Sequence, residues 1–598
     1  MPWAVWGQQD AVATAGSTAG EPPGIHKESI VVTGTYEPIP LDEADRSISS
    51  FSVPELRPVS NSLADFLRLD SSLDLRERAP NLVQGDLSIR GATFGQTLVL
   101  LDGLRLNDAQ TGHFNLDVPV PLDTMDRVEV LKGSGSTMYG SDAVGGVVNL
   151  VTRRPETSEL RVRGALGNWG VNQESATAGY VRQSFAEQLY FSRDFSTGFM
   201  PNRDYRNLTL SSKTFLDSRL GTSDVTLAYS DKPYGAQDFY GNFPSWERTM
   251  GWFAALRQMI GDRTEVDFAF RRHNDLFELF RYQPEIYTNR HVVESYEAAL
   301  RRKDPIGRNA TIFYGGEGYT DSIDSSNLGS HSRARGAGYV ALDVRALKRF
   351  SFTAGVRDEI YGSFNNQVSP SVSGGAWLGA GFRLRASASR AFRLPSYTDL
   401  YYQDPANIGS PNLLPETAWS YEAGVQWNRG GKWFADAAVF QRRERNGIDY
   451  VRNSPDDIWR AMNFQRLNFT GVESSLTYRV ADGQRLNFQY SYLYGVQDQL
   501  GLVETKYSFN YPIHYGLAGW EALLPYSILT RLRVGAIERY AREPYAVVDL
   551  YASRARGRVR PFLQLTNLTG AVYEEIQGVP MPGRGIVGGL DVLIYPSR

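Results

Sequence analysis

The sequence predicts an all-β protein in which a small compact domain precedes a long sheet with two different faces. Between Asp86 and Thr152, short runs of branched aliphatic residues are separated by glycine, aspartate and asparagine. This texture is typical of buried strands joined by tight turns. After Pro155, apolar and largely aromatic residues alternate with polar ones in segment after segment. Such alternation indicates a sheet whose two faces meet different surroundings.

Composition narrows the class of protein. The 598 residues include 63 Lys and Arg against 66 Asp and Glu, a net charge of -3 that is too balanced to indicate nucleic-acid binding. The absence of cysteine excludes a disulfide framework, a thiolate metal site and a cysteine nucleophile. A mean hydropathy of -0.35 argues against helical membrane spans. It is compatible with a transmembrane barrel, because only every second residue of a spanning strand faces lipid.

The first elements follow in chain order. Residues 1–27 are small and polar and contain proline and glycine, so we expect a disordered segment. The run from Glu28 to Gly34 is a short β-prone peptide, suited to adding as a strand to the sheet edge of another protein. The run from Ser60 to Arg68 places its apolar residues at helical spacing after possible N-caps, and predicts one short helix.

The long second part supports a barrel independently. Leu486, Phe488, Tyr490, Tyr492 and Tyr494 alternate with polar residues, which places an aromatic row on one face of a strand. A soluble sandwich would show the same alternation with the aromatic face buried, so the pattern alone leaves both architectures open. A longer aromatic stretch, residues 231–246, is expected to be a loop that binds ligand or anchors the protein at the membrane interface.

Several motifs together resemble the plug domain of TonB-dependent outer-membrane receptors. They are ESIVVTG, SLADFLR, SIRG, LVLLDGLRLN, DRVEVLKG and STMYGSDAVGGVVNLVT, in this order between Glu28 and Thr152. The resemblance implies a 22-stranded antiparallel transmembrane β-barrel with an N-terminal α+β plug domain in its lumen. It divides the chain into a TonB box at 28–35, a plug at 36–154 and a barrel at 155–598.

The resemblance also implies two sets of functional residues. The TonB-coupling segment is Ser29, Ile30, Val31, Val32 and Thr33. The plug–barrel latch joins two basic plug residues to two wall glutamates, and its members are Arg90, Lys132, Glu422 and Glu473. Residue 132 is a lysine, whereas the family more often has arginine at this position. The planar guanidinium fork of arginine is thus replaced by the single compact charge of an ammonium group. The alternative, that these are ordinary charges lining a wet lumen, stays open.

Ligand-binding residues are expected in two loops between plug strands, residues 79–86 and 108–116, which form outward-facing apices in the family. Aromatic, amide and hydroxyl side chains there could hold a bulky polar ligand. The candidates are Asn81, Gln84, Gln110, Thr111, His113, Phe114 and Asn115.

The function implied is TonB-dependent active transport of a scarce bulky nutrient, cobalamin or a ferric siderophore, across the Gram-negative outer membrane. The implied partners are TonB with the ExbB/ExbD energy complex, outer-membrane lipid and lipopolysaccharide, and a small-molecule chelate. We expect a monomer that binds no nucleic acid. The alternatives are a haem or oligosaccharide receptor on the same scaffold, and a surface adhesion or structural β-protein without transport.

The sequence predicts no catalytic residue, no resident metal and no cofactor. The six histidines are too far apart in sequence for a local ligand pair. The glycine-rich run from Lys132 to Thr137 lacks the order of a phosphate-binding loop, and no GxSxG nucleophile motif occurs. We therefore predict that the protein is not an enzyme.

Overall fold

The structure is a computed structural model that describes residues 30–31, 33–36, 38–347, 349–362, 365–464, 466–497 and 504–596. Within these residues a closed antiparallel barrel of 22 strands follows an N-terminal plug, which confirms the predicted fold class. In the same ranges, no helix combines the length and the apolar character needed to cross a membrane.

The plug contains two small sheets, a strand pair at its start and three short helices. Its elements are β1 Ile30–Val31, β2 Ile39–Pro40, β3 Ile48–Ser52, α1 Val53–Leu56, α2 Leu63–Leu67, β4 Leu73–Ala79, β5 Gln84–Ile89, β6 Thr97–Leu101, β7 Leu104–Arg105, β8 Met125–Lys132, α3 Ser136–Tyr139 and β9 Gly146–Thr152. The main sheet has the order β3-β8-β9-β6-β7, and β4 pairs separately with β5.

Local chemistry explains the plug elements. Val99, Val128 and Val148 are fully buried in its main apolar cluster, as expected for strands rich in branched aliphatic residues. The predicted helix is α2, which begins after Ser62. The Asp65 carboxylate accepts from the backbone amides of Asn61 and Ser62, and so satisfies donors at the start of this short helix.

The remaining strands and one helix form the barrel and its loops. They are β10 Glu159–Gly167, β11 Asn172–Arg182, β12 Phe185–Ser196, β13 Tyr205–Asp217, β14 Thr222–Gln237, β15 Pro244–Ile260, β16 Thr264–Glu278, β17 Thr288–Ile306, β18 Ala310–Ser325, β19 Gly329–Leu347, β20 Phe350–Tyr361, β21 Asn365–Gly379, β22 Phe382–Arg393, α4 Tyr397–Tyr401, β23 Asn407–Ile408, β24 Glu416–Arg429, β25 Trp433–Arg445, β26 Gly447–Arg452, β27 Trp459–Phe464, β28 Leu467–Ala481, β29 Gln484–Gln497, β30 Glu504–Thr505, β31 Pro512–Leu524, β32 Ile528–Arg539, β33 Tyr545–Arg554, β34 Val559–Thr566, β35 Glu574–Ile576, β36 Val579–Pro580 and β37 Gly585–Pro596. Pairing of β10 with β37 closes the barrel, and β23, β26, β27, β30, β35 and β36 lie outside its wall.

The two rims of the barrel differ. At one rim tight turns join the strands, such as residues 183–184 between β11 and β12. At the other rim longer connections occur, among them residues 394–415, which contain α4 and β23, and the segment that contains β26 and β27. This asymmetry is that of outer-membrane barrels, in which the long loops face outward and the short turns face the periplasm.

The aromatic row of β29 lies on the outside of the wall. Phe488, Tyr490 and Tyr494 are 46%, 43% and 57% exposed, although a soluble sandwich would bury them. The alternate side chains point to the plug: Gln489 donates to the Leu69 carbonyl at 2.7 Å and Ser491 to the Ser71 carbonyl at 2.7 Å. Period-2 alternation in this strand therefore separates a lipid-facing surface from a plug-facing one.

One expected loop is mainly strand. The stretch 231–246 contains the end of β14 and the start of β15, so that only residues 238–243 connect the two strands. The prediction of a long loop was wrong because extended hairpins project beyond the apolar band, where polar and aromatic residues replace the simple alternation.

Candidate functional site

A cavity of about 1800 Å³ lies between the plug apices and the barrel loops at the rim with the long connections. The floor of the cavity is formed by β4, β5 and the plug loop after β7. Its walls are formed by barrel loops, namely the connections that follow β14, β22, β25, β32 and β34 and the residues after β30. Among the described residues, fourteen aromatic side chains line it. A concave site of this size with aromatic walls and a few convergent polar groups is suited to a bulky ligand.

The charged side chains around the cavity are mixed in sign. Among the described lining residues five are basic: Arg76, Arg78, Arg452, Lys506 and Arg542. Eight are acidic: Asp86, Asp238, Glu247, Asp275, Asp404, Glu504, Glu543 and Glu574. The cavity therefore does not present the strongly basic surface that would concentrate a multiply charged anion.

Four of the seven predicted ligand residues line this cavity, namely Gln110, Thr111, His113 and Phe114. Gln110 is held in place by its amide, which donates to Asp275 Oδ2 at 2.9 Å. The plug loop that carries all four residues is thus fixed against the barrel wall rather than free in the lumen.

The other three predicted residues hold the structure around the cavity. Asn81 donates to Asp194 and Tyr205 at 3.1 Å and borders a separate, smaller space. Gln84 donates to the Tyr240 hydroxyl at 2.7 Å, behind the cavity wall. Asn115 is buried, and it accepts from the Asp108 backbone and donates to the Phe94 carbonyl. None of these three lines the cavity in the described part of the chain.

His113 has the most constrained side chain on the cavity floor. Its Nδ1 lies 2.7 Å from Asp86 Oδ1, and its ring stacks on Phe94 with 4.2 Å between centroids. Tyr507 meets the ring edge-on at 5.8 Å. Burial lowers the pKa of His113 although Asp86 opposes this, and the lowered pKa favours the neutral ring. No local sequence pattern indicates the contact with Asp86, because 27 residues separate the two side chains.

The loop with His113 is tied to the wall by buried charges that the sequence did not reveal. Arg271 donates to Asp108 at 2.7 Å and Lys232 to Asp117 at 2.7 Å. His273 lies between these two carboxylates, 3.0 Å from Asp108 and 3.2 Å from Asp117. Charged pairs of this kind fix geometry because each partner would be costly to leave alone in a buried site.

The four residues of the predicted latch meet at the plug–barrel boundary. Arg90 donates to both carboxylate oxygens of Glu473, at 2.9 and 2.8 Å, and to Glu422 at 2.7 Å. Its guanidinium also lies 4.1 Å from the centre of the Phe440 ring. Arg90 has φ +53° and is followed by Gly91 at φ +71°, so a tight turn aims its side chain at the wall.

Lys132 contacts the plug first and the wall second. Its Nζ lies 3.0 Å from Asp70 and 3.9 Å from Glu473. Burial opposes ionisation of Asp70, but Lys132 and hydroxyl donors outweigh it and hold the pKa of Asp70 below its usual value. Lys132 therefore pairs with Asp70 as well as with the latch residue Glu473. Asp70 was not identified from the sequence.

The predicted coupling segment is folded against the plug where it is described. Ile30 and Val31 pair with Pro40 and Ile39 as a two-residue ladder. Thr33 is buried, and its backbone amide donates to Glu129 Oε2 at 2.6 Å. Ser29 and Val32 lie outside the described residues.

Known proteins are similar to this chain in sequence and in fold. The family model "TonB dependent receptor-like, beta-barrel" matches residues 135–570, and "TonB-dependent Receptor Plug Domain" matches residues 40–147. The vitamin B12 transporter BtuB of Vibrio vulnificus is 26% identical over 72% of each chain. The iron-regulated outer membrane virulence protein of Vibrio cholerae is 25% identical over 69% of this chain and 70% of its own.

Solved structures of siderophore receptors share the fold at lower identity. A ferric enterobactin receptor (PfeA) mutant of Pseudomonas aeruginosa has a TM-score of 0.75 at 16% identity, covering 95% of this chain and 100% of its own. The siderophore receptor PirA of Acinetobacter baumannii has a TM-score of 0.74 at 13% identity, covering 92% and 98%. With the two family models, these matches confirm the resemblance on which the plug and barrel were predicted. The chain belongs to the TonB-dependent receptor family, whose members are proteins of the Gram-negative outer membrane.

Proposed function

We propose that this receptor carries a cobalamin-type corrinoid across the outer membrane in a TonB-dependent manner. The observation that supports this best is the lining of the cavity. It combines many aromatic side chains with charges of mixed sign, and the acidic groups outnumber the basic ones. A corrinoid is bulky, offers a large apolar ring and many amide groups, and has little net charge.

The same lining is less suited to ferric siderophores of the catecholate type, which are multiply anionic. Such a ligand would leave several acidic side chains facing its negative charge in a partly enclosed site, where unfavourable pairs are costly. Arg78, a basic group on the cavity floor, already donates to Asp86 at 3.1 Å. The relative named as a vitamin B12 transporter supports the same choice.

Transport rather than catalysis is the activity we propose. The ligand would bind at the outer cavity, and TonB, driven by ExbB/ExbD, would pair with the segment from Ser29 to Thr33 by strand addition. Pulling on this segment would act on the plug, whose charged contacts with the wall can be replaced by water. The working unit would be a monomer surrounded by outer-membrane lipid and lipopolysaccharide.

Uptake measurements test the proposal. Cells that express the receptor should accumulate labelled cyanocobalamin when TonB is present and lose this uptake when TonB is deleted. Ferric enterobactin uptake should not depend on the receptor. Uptake of ferric enterobactin alone would replace the corrinoid by a siderophore. No TonB-dependent uptake of either ligand, with the receptor assembled in the membrane, would refute the proposed transport of these nutrients.

A further inference from the structure

His113 projects from the plug onto the cavity floor with only one ring nitrogen engaged. Nδ1 lies 2.7 Å from Asp86 Oδ1, and among the described residues this is the one hydrogen bond that the ring makes. The side chain is 14% exposed and belongs to the cavity lining. A nitrogen of this plug residue is therefore available to a ligand.

Asp86 decides which nitrogen carries the proton. Its other carboxylate oxygen, Oδ2, accepts a hydrogen bond from the Arg78 guanidinium at 3.1 Å, so the carboxylate is paired with a cation. An ionised carboxylate only accepts hydrogen bonds, so the proton of a neutral His113 must reside on Nδ1. Nε2 is left with an unprotonated lone pair.

This arrangement is the one that proteins use to present histidine to a metal. A carboxylate bound to the far nitrogen fixes the tautomer, orients the ring and raises the basicity of the ligating nitrogen. Here Phe94 stacks on the ring and Tyr507 closes its edge, which restricts rotation further. The ring is thus positioned before any ligand arrives.

The other described histidines lack this combination. Each has a different partner or a different location. His273 has both nitrogens facing carboxylates, His291 faces Ser325 and Asp275, His331 contacts the Leu328 carbonyl, and His514 pairs with Tyr490 on the outer wall.

We propose that His113 Nε2 coordinates the metal ion of the transported ligand at an exchangeable axial position. The inference rests on the proposed function, and it gives corrinoids whose upper axial ligand can leave one bond to the receptor that other corrinoids lack. For aquocobalamin the step is a ligand exchange: the cobalt–water bond breaks, the Nε2 lone pair forms a cobalt–nitrogen bond, and water is released. No electron is transferred, and the Nδ1 proton stays on the hydrogen bond to Asp86.

Coordination from the plug would make the receptor distinguish corrinoids by their axial chemistry. Aquocobalamin, with a replaceable water, should gain a bond that cyanocobalamin cannot form without losing cyanide. The barrel walls would contact the two ligands alike. A difference in affinity between them therefore isolates the contribution of His113.

The test uses the purified full-length receptor titrated with each cobalamin and followed by visible absorption. Aquocobalamin should show the spectral shift of an imidazole complex on binding, and cyanocobalamin should bind without a shift. His113→Ala should abolish the shift and weaken aquocobalamin binding by about tenfold more than it weakens cyanocobalamin binding. Asp86→Asn should weaken aquocobalamin binding by roughly tenfold, because it removes the orienting carboxylate. His514→Ala, on the outer wall, is the matched control.

The outcomes separate the two proposals. Binding of aquocobalamin without a shift, or a shift that persists in His113→Ala, would overturn the coordination while leaving corrinoid transport intact. Failure of the wild-type receptor to bind either cobalamin would refute the corrinoid proposal itself, and the coordination with it. If His113→Ala does not assemble, His113→Gln with intact cyanocobalamin binding provides the same comparison.

Discussion

Replacing Arg90 of the latch should destabilise the plug more than replacing an exposed charged residue does. The Arg90 side chain is 3% exposed and engages two wall carboxylates, one of them through two parallel hydrogen bonds. In Arg90→Met these carboxylates remain buried without their main counter-charge. Loss of one member of a buried ion pair costs about 3–5 kcal/mol. We therefore expect the free energy that keeps the plug folded in the lumen to fall by about that amount.

Urea titration of the receptor in a planar bilayer measures this quantity, because loosening of the plug opens an ion-conducting lumen. With a slope of about 2 kcal/mol/M, the urea concentration at half-opening should fall by roughly 2 M in Arg90→Met. Arg90→Lys keeps the charge and loses the planar fork, so its midpoint should lie between those of Arg90→Met and the wild type.

A double variant distinguishes charge from packing. Arg90→Met with Glu473→Gln removes the isolated carboxylate, so it should be more stable than Arg90→Met alone. Arg443→Ala is the control: this exposed side chain contacts Gln441 and Tyr421. Equal midpoints for Arg90→Met, Arg443→Ala and the wild type would refute the reasoning that the buried charges hold the plug.

Three further predictions concern the plug. Val31→Pro should abolish uptake but preserve ligand binding, because proline removes a donor needed for strand addition; uptake and binding assays on the same cells decide this. Gly91→Ala places a Cβ 2.3 Å from the Leu493 side chain, at a residue whose φ is +71°. The urea midpoint should therefore fall by an amount equivalent to about 1–3 kcal/mol. Gly318→Ala is the control and should be neutral, because a Cβ there meets no atom within 4 Å. The lowered pKa of Asp70 stabilises the plug at neutral pH, and this contribution should be lost as pH falls below about 4, which urea titrations at pH 7 and pH 3 would reveal.

The latch could be predicted from sequence only through the family resemblance. Arg90 lies 332 residues from Glu422 and 383 residues from Glu473, so no local pattern connects them. Closing the barrel around the plug brings them together. Lys132 illustrates the limit of this transfer, because its nearer partner is Asp70, on a turn whose conformation no motif specifies.

The cavity could be predicted less completely than the fold. Alternation fixes which face of a strand meets lipid, and it correctly placed the aromatic row of β29 on one side. Loop conformation has no comparable period. The contacts of His113 with Asp86 and Tyr507 therefore depend on how distant segments meet above the plug, as does the burial of Asn115 behind the cavity floor.

Strand β5 of the plug connects the cavity floor at His113 and Asp86 with the plug–barrel latch at Arg90. Asp86, which orients His113, lies within β5, and Arg90 follows directly after the end of that strand. Four extended residues span about 13 Å. Strand β5 is buried along its whole length and pairs with β4, so it resists bending between these points. A displacement of Asp86 along the strand therefore acts on the turn that aims Arg90 at Glu422 and Glu473, which connects the cavity floor to the plug–barrel latch through one short element.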